Sequence, residues 1–179
     1  VWSADGHFGK KIFFMLADLN AVDIQILQIL QYDARMTTKE MADKLGKSVT
    51  AIHERIKRLE EDGYIQRYVA LLDKNMIGKT LTGYTTVQLK EHSQGVLRGF
   101  EREVIKFPEV MECCQLTGQS DFLLRVVIQD MQAYNDFLLN KLATLPNIGT
   151  VQTSFVLSEA KRETAYHLPL PSQDKVKRK

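Results

Sequence analysis

The residues best suited to chemistry in this chain run from Lys47 to Arg58, in the stretch KSVTAIHERIKR. At about 100° per residue, Val49, Ile52, Ile56 and Leu59 define a buried direction. Thr50, Ala51, Glu54, Lys57 and Arg58 then face outward, with Arg55 and His53 on the flanks. A helix of this kind has the parts needed to lie in a DNA major groove. Thr50 and Ala51 are small enough for close approach and can touch a thymine methyl. Arg55 can reach guanine with two hydrogen bonds, and Glu54 can accept one from a cytosine amino group or repel phosphate. Lys57 and Arg58 suit phosphates, as do the backbone amides where the helix opens at Lys47 and Ser48. The alternative is a solvated helix face, since exposed helices commonly mix Glu with Lys and Arg.

A second candidate is the turn Thr117-Gly118-Gln119-Ser120-Asp121. Gly118 lets backbone amides approach a carboxylate, and Asp121 offers a negative charge to an ammonium group, so both ends of an α-amino acid could be read there. The same residues also suit a plain tight hairpin, with Gly supplying positive φ and Asp a local cap. Other chemistry is poorly supported. His7, His53, His92 and His167 are scattered without metal-ligand spacing, and Cys113 and Cys114 are adjacent, so in a strand they point to opposite faces. With no nucleophile paired to a base and no glycine-rich phosphate loop, no enzyme activity, metal or cofactor is expected.

The elements that must position these residues are legible as periodicities. Asn20 caps a first helix with Asp23 in its first turn and Val22, Ile26, Ile29 and Leu30 inward. Thr37-x-x-Glu40 is a capping box opening a second helix, with Met41, Ala42 and Leu45 inward and Gly46 as its stop. Ser48 caps the third, which Gly63 ends. Three short helices with a tight turn between the last two make the helix-turn-helix plan. Tyr64 to Leu72 reads as an extended strand and Asp73 to Lys79 as a hinge.

A regular alternation follows: a strand at 81–90, a helix at 95–107, strands at 110–118 and 121–129, a helix at 131–145 and a strand at 149–158. That order, β-α-β-β-α-β, is the ferredoxin-like split unit, an antiparallel sheet with helices on one face. The alternation in TTVQLK and VVIQ predicts a partly apolar open face that a second copy could cover. The fold class is therefore α+β, a winged helix-turn-helix domain followed by a ferredoxin-like domain. Residues 1–17 read as a leader or expression-derived segment, 18–65 as the DNA-binding domain, 66–80 as strand and hinge linker, 81–168 as the ferredoxin-like domain and 169–179 as a basic flexible tail.

Bulk properties constrain the partners. The 179 residues are 44% hydrophobic and 26% charged, with 24 basic and 22 acidic side chains for a net charge of +2. Acidic residues outnumber basic ones between 18 and 65, so DNA binding must come from local placement and from a dimer that doubles the phosphate contacts. No apolar run approaches the roughly 18–20 residues that span a bilayer. The run KKIFFMLA lacks a signal-peptide cleavage site, and the lack of a cysteine framework favours a reducing cytoplasm.

The stretch LNAVDIQILQILQYDARMTTKEMADKLGKSVTAIHERIKRLEEDGYIQRYVALLD resembles the N-terminal half of the Lrp/AsnC (feast/famine) transcription regulators. The marks are L-x-x-x-D-x-x-I-L-x-x-L, G-x-S before the reading helix, R-I-x-x-L-E-x-x-G-x-I, and the strand after it. Downstream, LTGQSDFLLRV is close to the family's G-x-x-D-[YF]-L-L, and the likeness covers about residues 18–168. It implies a regulator of double-stranded DNA that dimerises through its C-terminal domains and assembles further to an octamer. It also implies an effector pocket, for an amino acid, lined by the loop and a neighbouring subunit: Gly118, Ser120, Asp121, Phe122 and Leu123, with Thr153 from the last strand. Glu54 stands where many members carry a basic residue, so the operator cannot be carried over. An architectural DNA-wrapping protein without a metabolite response is the alternative.

Overall fold

The computed structural model describes residues 19–170; the expected leader and the tail from 171 onward lie outside the described residues. The chain forms two compact units, one of residues 19–70 joined by 162–170, the other Leu71–Lys161.

The first unit holds α1 (Ala21–Tyr32), α2 (Thr38–Leu45) and α3 (Val49–Glu61). Each starts on a side-chain cap. Asn20 Oδ1 accepts from the Val22 and Asp23 amides while Asp23 Oδ2 accepts from the Asn20 amide. Thr37 and Glu40 close the same reciprocal box, with Glu40 Oε2 2.7 Å from the Thr37 amide. Ser48 Oγ accepts from the Ala51 amide at 3.2 Å. Such caps satisfy donors that a helix cannot satisfy internally. Gly46, at φ 61°, ends α2 in the left-handed region, and the Lys47 amide returns to the Ala42 carbonyl at 3.0 Å. The core is Leu19, Ile24, Ile26, Met41, Ala42, Ile52 and Leu59.

Three expectations for this unit need correction. Val49 does not join the inward stripe: at the first helical position it is 48% exposed, leaving Ile52, Ile56 and Leu59 to face the core. The stretch from Tyr64 to Leu72 forms no ladder among the described residues. Tyr64 and Ile65 pack on the core and the Ile65 amide bonds back to Leu59, but a strand also needs a ladder with a neighbouring strand, and residues 64–72 join none among the described residues. Residues 162–168, expected to close the second domain, instead strap across α1. Gln28 Nε2 donates to the Leu168 carbonyl at 2.8 Å, and the Gln31 amide both donates to and accepts from the Tyr166 backbone, at 3.2 and 2.6 Å. Leu168 packs against the core.

The second unit runs β1 (Leu81–Leu89), α4 (Gln94–Val104), β2 (Val110–Gln115), β3 (Phe122–Ile128), α5 (Met131–Asn140), a single 3-10 turn Leu142–Thr144 and β4 (Ile148–Phe155). All neighbours are antiparallel in the order β2-β3-β1-β4, the ferredoxin-like arrangement. Both helices are shorter than expected: α4 closes at Val104, and α5 at Lys141, whose φ of −126° and ψ of −68° leave the helix before the 3-10 turn. One sheet face packs on the helices through Val87, Leu89, Phe122, Leu124 and Val126 against Phe100, Val104, Tyr134 and Phe137. The other face is more polar than the alternation predicts. Tyr84, Thr86, Gln88, Gln152 and Ser154 lie on it with Leu123, and Arg125 Nε pairs there with Glu112 at 2.8 Å.

Candidate nucleic-acid interface and effector turn

Helix α3 is presented with its first turn open and its basic residues unequally committed. Thr50, Glu54 and Lys57 are exposed and Ala51 half-buried. Lys47 and Ser48, in the turn before the helix, are exposed as well, so the helix N-terminus faces water. Lys57 makes only a loose contact, 3.7 Å from Glu61 one turn on, with both side chains about two-thirds exposed (66% and 65%).

Arg55 and Arg58 stand differently. Arg55 Nη1 donates to Asp23 Oδ1 at 2.8 Å and Arg58 Nη2 to Asp23 Oδ2 at 2.7 Å. Asp23 is fully buried, while the arginine side chains remain 31% and 48% exposed. A buried carboxylate without partners would be prohibitively costly; here one carboxylate of α1 holds two guanidiniums of α3. Asn20, Ala51, Glu54, Arg55 and Arg58 together line an open hollow on this surface. Arg55, expected to be free to reach a base, is thus anchored at one nitrogen, and its remaining donors are those that can meet DNA.

Sequence reasoning missed Asp23 as a partner. It reads as a first-turn charge complementing the helix dipole, yet its place between apolar Val22 and Ile24 was a usable signal, because a charge inside a buried stripe needs a counter-charge.

At the other candidate, Gly118 adopts φ 120°, a conformation side-chain-bearing residues rarely take, and beyond its two chain neighbours no described residue comes within 4 Å of the position a Cβ would occupy. The turn is closed by the Leu116 amide on the Asp121 carbonyl at 2.8 Å and by the Asp121 amide on the Val87 carbonyl at 2.9 Å. The Asp121 carboxylate is 16% exposed. Its Oδ2 accepts from the Leu89 amide at 2.7 Å and lies 3.2 Å from Nε2 of His92, which is 56% exposed. His92, unassigned from sequence, comes to this site from the loop after β1, and nothing in its spacing signals the pairing.

The structure does not gather all the expected effector residues. Gly118, Ser120 and Asp121 share the turn. Phe122 is buried, its ring centroid 4.7 Å from that of Phe100, and Leu123 lies on the opposite sheet face. Thr153 is on the helix-covered face, its hydroxyl bonded to Thr85 at 2.9 Å and to the Tyr134 hydroxyl. Alternating strand residues face opposite ways, so Phe122 and Leu123 cannot both face one ligand from a single subunit. The two cysteines diverge likewise: Cys113 is half-buried against the core and Cys114 exposed.

A capped helix-turn-helix unit beside a ferredoxin-like domain defines a DNA-binding regulator with a ligand-binding domain. Residues 19–66 match the winged helix-turn-helix DNA-binding family and residues 82–166 the Lrp/AsnC ligand binding domain. The chain is 39% identical over 166 residues to the glutamate uptake regulatory protein of Zymomonas mobilis, covering 92% of this chain and 99% of that one. It is 35% identical over 150 residues to the Bkd operon transcriptional regulator of Pseudomonas aeruginosa, covering 84% and 98%. A transcriptional regulator from Neisseria meningitidis in complex with L-Met has a similar structure, with a TM-score of 0.79 and 34% identity over 83% of this chain and 96% of that one. The chain belongs to the Lrp/AsnC family of transcriptional regulators. It is a regulator, not an enzyme. No helix among the described residues is long and apolar enough to cross a membrane.

Proposed function

We propose that this chain is a cytoplasmic, sequence-specific regulator that binds double-stranded DNA as a homodimer or an octamer and answers to a free amino acid at the Gly118–Asp121 turn. The observation that carries the DNA half is the clamp of Asp23 on Arg55 and Arg58, which fixes the two arginines of α3 while leaving Thr50 and Glu54 exposed and Ala51 half-buried. Thr50, Ala51 and Glu54 read base edges from the first turns. Lys57, Arg58 and the amides at Lys47 and Ser48 hold phosphates, and Arg55 reads with the nitrogens that Asp23 leaves. A two-fold dimer then addresses a pseudo-palindromic site.

For the effector half, a neighbour solved with L-Met supports an amino acid. Gly118 exposes backbone amides for its carboxylate and Asp121 keeps acceptor capacity for its ammonium. Leu123 and Ser120 border that turn and Phe122 supports it from the core, whereas Thr153 is held by Thr85 on the helix-covered face. The effector shifts DNA occupancy only if it favours one assembly, by about 1–3 kcal/mol in typical allosteric coupling.

Selection of DNA from a random pool, repeated with Glu54→Ala, tests the first half: the preferred bases should change. Unchanged enrichment would remove Glu54 and its face from the reading role. Footprinting with and without L-methionine tests the second. Long phased protection indifferent to amino acids would select the architectural role instead.

A further inference from the structure

A hollow of about 510 Å³ opens on the second unit at the end of the sheet away from the Gly118–Asp121 turn. β3 runs from Phe122, beside the turn, to Ile128, at the hollow. At about 3.3 Å per residue the two places are roughly 20 Å apart. Ile128, Ala133 and Phe137 give the hollow its apolar part. Lys79 and Glu109 border it ahead of β1 and β2; Asp136, Asn140 and Lys141 come from α5 and its end.

The charges here are only partly matched. Lys141 Nζ donates to Glu109 Oε1 at 2.6 Å, but Glu109 Oε2 is buried and has no hydrogen-bond partner among the described residues. Burial raises the Glu109 pKa, yet the hydrogen bond from Lys141, the backbone amide and the charge of Lys79 together hold the carboxyl below its ordinary value, so it carries a charge. The Asp136 carboxylate has the Gln132 amide at 3.3 Å, and Lys79 makes no ion pair with any described residue. A buried acceptor without a donor is rare enough to need an explanation. The last torsion of Glu is soft, so the carboxylate can turn Oε2 toward a donor that enters.

We propose that this hollow is a second small-molecule site, for a zwitterion of amino-acid size. The ligand carboxylate lies on Lys79, its ammonium between Asp136 and Glu109, and its side chain over Ala133. A simple anion would meet the two carboxylates and a simple cation the two lysines, so only a ligand carrying both charges is matched. The volume lies within the usual range for small-molecule pockets. This site is independent of the one proposed at the turn.

Isothermal titration of the full chain with L-methionine tests it. The wild type should show two classes of site. Lys79→Ala combined with Asp136→Ala should weaken one class at least tenfold and spare the other, whereas Asp121→Asn should do the reverse. Both substituted side chains are exposed, so melting without ligand should be unchanged. For the class at the hollow, 4-(methylthio)butyrate and 3-(methylthio)propylamine, each keeping one charge, should bind at least tenfold more weakly than L-methionine. A wild type with no class sensitive to the double substitution overturns the site, whatever Asp121→Asn does. Equal binding of either analogue there overturns the zwitterion.

Discussion

Asp23 and Asp121 are both aspartates withdrawn from water, one in each unit, but their surroundings differ in kind. Asp23 has no exposed surface and takes three donors, from Arg55, Arg58 and the Asn20 amide. Asp121 keeps 16% of its side chain exposed and takes the Leu89 amide on one oxygen, with a half-exposed histidine alongside. A carboxylate offers about four lone-pair positions. Where charged groups from another helix fill them in the interior, the residue is a strut. Where a backbone amide takes one and the rest border solvent, the residue has both an anchor and capacity for a ligand. The same side chain thus serves position in one unit and recognition in the other.

The largest expected effect comes from breaking the strut. Asp23→Ala should destabilise the first unit by about 3 kcal/mol, because two partly buried guanidiniums lose their counter-charge. The melting midpoint should fall by roughly 10 °C and specific DNA binding should go with it. A melting curve that overlays the wild type would show that the clamp carries no load. Arg55→Ala should share this loss, so its effect on DNA has to be read beside a melting curve.

The anchor should prove weaker and separable. Asp121→Ala removes the acceptor of the Leu89 amide and should cost about 1–2 kcal/mol. Asp121→Asn keeps an acceptor but loses the charge; it should melt near the wild type yet lose the class of L-methionine site that the Lys79 and Asp136 substitutions spare. If that class of site survives in the Asn variant, Asp121 is a strut too and the contrast fails.

The paired cysteines sharpen the same distinction between interior and surface. Burial, with help from Glu101 and Cys114, pushes the Cys113 thiol up to about 11 from an ordinary 9.0. Iodoacetamide at pH 8.5 should therefore label exposed Cys114 at least tenfold faster. Because the folded value is the raised one, any stability linked to Cys113 is intact below about 9 and is lost as pH rises toward 11. A Cys113→Ser variant should have the flatter stability profile across that window. The smallest effect on folding belongs to Lys57, whose exposed contact with Glu61 contributes at most a few tenths of a kcal/mol. Lys57→Ala should leave melting unchanged but lower the slope of log affinity against log salt by about 0.9.

What could be read in advance was local. The caps at Asn20, Thr37 and Ser48 use partners two or three residues away, and the β-α-β-β-α-β order follows from periodicity, so both are legible without coordinates. The clamp joins residues 32 and 35 positions apart, and the Asp121–Leu89 bond spans 32, so neither is written in any short window. Val49 fits the helical stripe by angle, but periodicity does not say how far the core extends along a helix. Tyr64 to Leu72 has strand-like residues, yet pairing depends on a neighbour that its own composition cannot supply.

The strap has a consequence for synthesis. The first unit includes residues 162–170, which leave the ribosome more than ninety residues after Ala70. Domains generally form as their sequence emerges, but here Gln28 and Gln31 must wait for Tyr166 and Leu168. The nascent DNA-binding unit therefore stays incomplete, one flank of α1 uncovered, until the whole ligand-binding domain has been translated.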